Sequence, residues 1–213
     1  YIMNLDHCNS HSSFKDKVSM SNLCQEITLP TTPIQDIHDE QGEIALCILS
    51  AVNVGGLNDL SELENICDLS VRALEQIIDY QDYPVKAAEV STKKRRSLGI
   101  GYIGLAHYLA KNGVKYSDPK AWDLVDRLSE AFQYHLLRAS CNIAMEKGKC
   151  EGFERTKYAD GLLPIDHYKK DVDNIVPHKQ RMAWESLRKD IAKHGLRHST
   201  LSAQMPSESS SVV

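Results

Sequence analysis

The sequence predicts an α/β fold. Two observations carry the prediction: strand-length apolar runs without alternation, and longer stretches of helical periodicity between them. The run Glu43-Ile44-Ala45-Leu46-Cys47-Ile48-Leu49-Ser50-Ala51 has the character of a strand buried on both faces, as in a parallel sheet. Strand, helix, strand, helix is the rhythm of crossover units.

Taken in order, residues 1–4 read as a short strand, and the polar stretch to residue 21 as a loop. A short apolar segment over residues 23–29 ends at Pro30, and residues 53–58 form a glycine-rich turn. The next helix opens on Ser61 and Glu64, a capping-box pattern, and repeats Leu63, Ile66, Cys67, Val71, Leu74, Ile77 and Ile78 at helical spacing. A loop that includes the basic run Lys93-Lys94-Arg95-Arg96 leads into a strand over residues 96–102, whose glycines allow close backbone packing. Residues 105–111 are helical and stop at Gly113. Asp118-Pro119 starts a long helix that runs to Glu146, with Gly148 as terminator. A further helix spans residues 179–194 and ends at Gly195, and residues 199–203 form a last strand before the serine-rich 205–211.

Composition narrows the function classes. With 213 residues, 42% hydrophobic and 25% charged, the chain can bury a core, and its net charge of -4 with one short basic cluster argues against binding nucleic-acid duplexes. No apolar stretch reaches the length of a membrane span, and the first residues lack a signal peptide's basic and apolar regions. Six scattered cysteines without a CxxC pair do not form a secreted disulfide scaffold, so a reducing, cytoplasmic setting is expected.

Four constellations could carry chemistry. If residues 22–26 are extended, Asn22, Cys24 and Glu26 present an amide, a thiol and a carboxylate to one space. That is an orienting group, a sulfur and a base, although a free cysteine is equally at home as a small buried hydrophobe. Cys47 sits within the apolar run, where it fits a core strand and becomes functional only beside a second thiol. Ser207, Glu208, Ser209 and Ser210 follow a strand and offer N–H and hydroxyl donors suited to a phosphate; a frayed tail is the alternative. His7-Cys8 and His11 form half of a metal site with no second half at suitable spacing, so no metal is expected in this chain.

Three stretches in this order resemble the large subunits of aerobic class I ribonucleotide reductases: Ser21-Asn22-Leu23-Cys24-Gln25-Glu26-Ile27, the Cys47 segment over residues 42–50, and Met205-Pro206-Ser207-Glu208-Ser209-Ser210-Ser211. The opening residues 1–9, Asp79-Tyr80-Gln81-Asp82-Tyr83-Pro84, Leu98-Gly99-Ile100-Gly101 and residues 194–201 are similar to that family too, so the likeness covers essentially the whole chain. It implies that residues 1–213 are a single segment of a ten-stranded α/β barrel, with a central finger loop carrying Cys24. By the same likeness Cys24 becomes a thiyl radical that removes the 3′ hydrogen of a ribonucleoside diphosphate. Glu26 accepts the 3′-hydroxyl proton, Asn22 orients the ribose, and Cys47 is one of two cysteines that reduce the 2′ position. Ser207, Glu208, Ser209 and Ser210 bind the diphosphate; Ser209 stands where many relatives carry threonine and keeps the hydroxyl.

The resemblance also implies what lies elsewhere. A metal-containing small subunit supplies the radical, ATP and dNTP effectors bind an amino-terminal part, and thioredoxin or glutaredoxin supplies electrons through a C-terminal cysteine pair. The partner thiol of Cys47 comes from an earlier strand not found here, and the tyrosines that relay the radical lie beyond Val213. Two other readings stay open: a silent structural module of the same fold, and a segment of an adenosylcobalamin-dependent reductase. We expect the chain to be one portion of a longer or divided polypeptide, exposing sheet edges that other segments cover. Assayed alone with a ribonucleoside diphosphate and a dithiol, it is expected to form no deoxynucleotide; detectable product would overturn this.

Overall fold

The computed structural model describes residues 2–175 and 179–206. Ahead of the first strand the chain forms a short helix, α1 (Leu5–His11), in place of the expected loop. The Asn4 side chain caps it by accepting from the His7 N–H at 3.1 Å. α1 buries none of its residues, so no apolar periodicity marks it in the sequence. Residues 2–4 are irregular rather than a strand.

The expected strand over residues 43–51 is shifted. β1 spans Ile48–Asn53, and its exposure alternates instead of being buried on both faces. One face of the small sheet is open, leaving Leu49 50% exposed while Val52 points into the core. Residues 54–56 make a 3₁₀ turn, held by the Asn53 side chain accepting from the Gly55 N–H.

α2 (Glu62–Tyr80) buries Leu63, Cys67, Val71, Leu74 and Ile78, a stripe of the spacing the sequence predicts. Its start differs from the expected capping box. Ser61 is already helical in backbone (φ -64°, ψ -22°) and makes no side-chain cap. The Asp59 carboxylate instead accepts from the Ser61 N–H at 2.8 Å. α3 (Lys86–Arg95) replaces the predicted loop and leads into β2 (Leu98–Ile103). β1 and β2 pair in parallel, from Ile48 opposite Leu98 to Asn53 opposite Ile103. The expected strand over residues 199–203 reaches the other edge of β2 as a single parallel bridge, Ile100 to Ser202. It is supported by Leu98 N–H to Thr200 O and Ile100 N–H to Leu201 O.

α4 (Leu105–Lys111) and α5 (Pro119–Lys147) lie where the sequence puts them. α5 is about 44 Å long at 1.5 Å per residue, and its later turns bury Leu136, Leu137, Ser140, Cys141 and Ile143 against α2 and the sheet. After the four-residue α6 (Pro164–His167), α7 (Trp184–His194) starts later than the predicted residue 179. The cause is Glu130 on α5. Its carboxylate accepts from the backbone N–H groups of Arg181 and Met182 and from the Trp184 indole, drawing residues 181 and 182 out of helical register. Among the described residues, no helix is long and apolar enough to cross a membrane.

The basic run is the largest departure from the sequence reading. It is not a loop: Lys93, Lys94 and Arg95 close α3. Arg95 and Arg96 are about 5% exposed and turn to opposite sides. Arg95 bonds Glu43 (2.5 Å) and Asp16 (2.9 Å), with Lys94 also on Glu43, and so ties the amino-terminal segment to the foot of β2. Arg96 bonds Glu75 (2.7 Å) and Asp79 (2.8 Å) on α2. It takes a left-handed backbone at φ 48°, a conformation costing about 1–2 kcal/mol, and is held there by one buried pair, to Glu75, and one half-exposed pair, to Asp79.

Glu75 gathers Arg96, Arg197 (2.8 Å) and His198 (3.0 Å) around one carboxylate. Burial pushes that carboxyl up, but hydrogen bonds from His198, Arg96 and Arg197 outweigh it and hold it at about 2. Burial keeps His198 below its ordinary value. The ring is therefore neutral at pH 7, donating from Nε2 to Glu75 and accepting at Nδ1 from the Ser140 hydroxyl, 2.9 Å away.

Both groups make the fold acid-labile. His198 is depressed, so stability falls once pH drops below 6.5, where the unfolded imidazole takes a proton that the folded one refuses. Glu75 is depressed, so its contribution is complete above 4.5 and is lost as pH falls towards 2. Glu75→Gln is expected to cost about 3 kcal/mol at pH 7, because it removes the charge that buried Arg96 and half-buried Arg197 share, and to flatten the decline below pH 4.5. Urea midpoints across pH check both; an unchanged acid limb would refute the role of Glu75.

Candidate active site around Glu26 and Cys47

Residues 23–26 form a turn rather than the extended segment that would align alternate side chains. Gln25 has φ 61°, which reverses the chain, and its N–H bonds the Asn22 carbonyl. The turn brings Asn22 and Glu26 together directly. Asn22 Nδ2 donates to Glu26 Oε2 at 2.5 Å, and Asn22 Oδ1 accepts from the Ile27 N–H at 3.4 Å. The amide thus fixes both the loop and one carboxylate oxygen.

Cys47 precedes β1 instead of lying inside a strand. It is half-buried against the small cluster of Phe14, Val18 and Leu29, together with Cys8, Ile27 and Ala45. Burial first, and the Glu26 charge second, push its thiol up to about 12. Glu26 is therefore close enough to Cys47 for its charge to be felt at sulfur. At neutral pH Cys47 is a protonated thiol, a donor of hydrogen rather than a thiolate nucleophile.

Cys24 is exposed on the turn, and among the described residues the contacts that join Asn22, Glu26 and Cys47 do not extend to it. Ser207, Glu208, Ser209 and Ser210 lie outside the described residues. Cys67, Cys141 and Cys150 are buried, each with its thiol pushed up chiefly by burial. No group of three or more His, Cys, Asp or Glu among the described residues could hold a metal.

Glu26 lines two cavities. One, of about 360 Å³, is bounded by Cys8, His11, Thr28, Tyr158 and His167 among others. The second, of about 260 Å³, is bounded by Ile100, Tyr102, Ser129 and Gln204. Gln133 and Ser202 line both, joined by a hydrogen bond from the Ser202 hydroxyl to Gln133 Oε1 at 2.6 Å. Sequence reading passed over this pair, because Gln133 stands among apolar residues of α5 and Ser202 in a short strand. One signal was available: a long polar amide on a helix face otherwise devoted to packing. A further cavity, about 630 Å³ and mostly apolar, lies between α4, α5 and residues 164–173, and none of the predicted site residues lines it.

Set against known proteins, the chain matches the family described as ribonucleotide reductase, barrel domain, over residues 1–213. It is 59% identical to the ribonucleoside-diphosphate reductase subunit alpha of Haemophilus influenzae, and 57% identical to that of Buchnera aphidicola subsp. Baizongia pistaciae. It is 54% identical to the ribonucleoside-diphosphate reductase 1 subunit alpha of Escherichia coli. Each alignment covers the whole of this chain but only 28–29% of the relative. With every residue of the chain inside the match, and with more than half identical in these three relatives, the chain belongs to the ribonucleotide reductase barrel-domain family.

Proposed function

We propose that residues 1–213 are a single segment of the catalytic barrel of a ribonucleoside-diphosphate reductase large subunit, acting within the complete subunit. The observation that carries this reading to particular atoms is the hydrogen bond from the Asn22 amide to Glu26, whose charge adds to burial in keeping the Cys47 thiol protonated. Family membership supplies the frame, and the ten-stranded barrel with Cys24 on its finger loop belongs to this proposal.

The reaction converts a ribonucleoside diphosphate and two thiols into a deoxyribonucleoside diphosphate, a disulfide and water. Cys24, as a thiyl radical, takes the 3′ hydrogen, because a ribose C–H bond is beyond ordinary acid–base removal. Its exposed position on a turn suits a residue that must meet both substrate and radical source. Glu26 accepts the 3′-hydroxyl proton, and Asn22 holds the carboxylate and the sugar in register. The 2′ hydroxyl leaves as water. Cys47 and a thiol from another part of the subunit give up two hydrogens between them and form the disulfide. A neutral Cys47 thiol suits this role, since it delivers proton and electron together. Ser207, Glu208, Ser209 and Ser210 hold the diphosphate. A metal-containing small subunit starts the radical, thioredoxin or glutaredoxin resets the disulfide, and the setting is cytoplasmic.

In the full-length protein that contains this chain, assembled with its small subunit, Cys24→Ser is expected to abolish deoxynucleotide formation without weakening diphosphate binding. Glu26→Gln is expected to lower kcat by about 10²–10⁴-fold, the range of a general base, with KM little changed. Steady-state kinetics with a dithiol reductant check both. Full turnover in either variant would sink the assignment.

A further inference from the structure

β2 carries two glycines, Gly99 and Gly101, on one face. Both are buried, and each is pressed by a neighbour that a side chain would strike. The two do different things. A Cβ on Gly101 would stand 2.5 Å from the Ala203 carbonyl oxygen, which is backbone and cannot turn aside. Gly101 therefore serves the packing of residues 199–203 on the sheet.

A Cβ on Gly99 would stand 2.6 Å from Cys47 Sγ, 2.7 Å from Leu49 Cδ2 and 3.2 Å from Ala203 Cβ. Leu49 is 50% exposed, and the end of its side chain has room to move. Cys47 has one side-chain torsion, so its sulfur is the atom that an added methyl displaces. Gly99 pairs with Leu49 in the register, and Cys47 lies two residues earlier, just ahead of that strand; the Leu49 and Cys47 side chains both reach the face where Gly99 is bare. The missing Cβ makes a niche in β2, and the sulfur lies in it.

We propose that Gly99 is a positioning residue: its bare backbone seats the Cys47 sulfur on β2. This rests on the proposed role of Cys47 as a reductant, but its test reads the thiol itself and needs no turnover. A methyl at position 99 turns the sulfur out of its niche, away from the cover that keeps it protonated.

The test uses the full-length protein that contains this chain, reduced and then freed of reductant. Alkylation by iodoacetamide is followed cysteine by cysteine by mass spectrometry from pH 7 to 10. In Gly99→Ala, Cys47 is expected to react about tenfold faster, the change that one unit of restored acidity gives, with its pH profile moved down. The Cys24 rate, followed in the same samples, serves as an internal reference. Buried Cys67 and Cys141 report the fold, and must stay protected. If they do not, a double-mutant cycle decides. The loss of Tm caused by Gly99→Ala is expected to shrink by at least half in a Cys47→Ala background, where no sulfur stands in the way. An unchanged Cys47 rate and profile with Cys67 and Cys141 still protected would overturn the proposal. So would an equal Tm loss in both backgrounds, since the methyl would then be meeting only Leu49 and Ala203. Because neither readout involves deoxynucleotide formation, a seated Cys47 in a protein without reductase activity would refute the proposed function and leave this inference standing.

Discussion

The architecture turns on one buried carboxylate. Glu75, on the inner face of α2, is reached by Arg96 from the foot of β2 and by Arg197 and His198 from the segment that follows α7. These groups come from distant parts of the chain, and each would be costly to bury alone. Gathered on one carboxylate, two permanent cations and a neutral imidazole satisfy one another, and Ser140 on α5 fixes the imidazole from its other side. The apolar stripe of α2 drives it onto the sheet, and the charge cluster decides where along the sheet it stops.

Arg95 carries the same logic to the other side of the backbone. Through Glu43 and Asp16 it draws the amino-terminal segment against β2, where Phe14, Val18 and Leu29 form a second small core under its guanidinium. That core carries Cys47 and Ile27 on its rim, and Ile27 follows the Asn22–Glu26 turn directly. Two adjacent arginines thus join the main core to the loop on which the proposed chemistry depends. The charge of Glu26 reaches Cys47 because the sheet and the amino-terminal segment are clamped at a common point.

The elements that sequence made legible are those whose signal is local. The stripe Leu63, Cys67, Val71, Leu74, Ile78 and the proline after Asp118 mark α2 and α5 within a residue or so. The misread elements depend on distant partners. The basic run looks solvated until Asp16, Glu43, Glu75 and Asp79 are brought to it, and α7 starts late because Glu130, some fifty residues earlier, captures its leading N–H groups. β1 was placed early because its apolar run continues into residues 43–47, which pack on the small cluster without pairing in the sheet. At the site, residue types identified Asn22, Cys24, Glu26 and Cys47, but no periodicity could foresee a left-handed Gln25 turning the presumed extended trio into a hairpin bend. The Gln133–Ser202 pair was invisible for the same reason, since its two members meet only through tertiary contact.

The span of the Glu75 cluster bears on the order in which the chain can fold. The bond from His198 to Glu75 closes a loop of 123 residues, and that from Arg197 one of 122. Loop closure on this scale is slow and comes after local helices have formed. Until it happens, Glu75 is a lone carboxylate facing Arg96, β2 lacks the neighbour at its second edge, and Gly99 has no Ala203 above it. During synthesis from the amino terminus, α2, α3 and β2 leave the ribosome well before Arg197 does. The nascent intermediate therefore carries a half-paired ion cluster at its centre, and the Cys47 niche is among the last features to close.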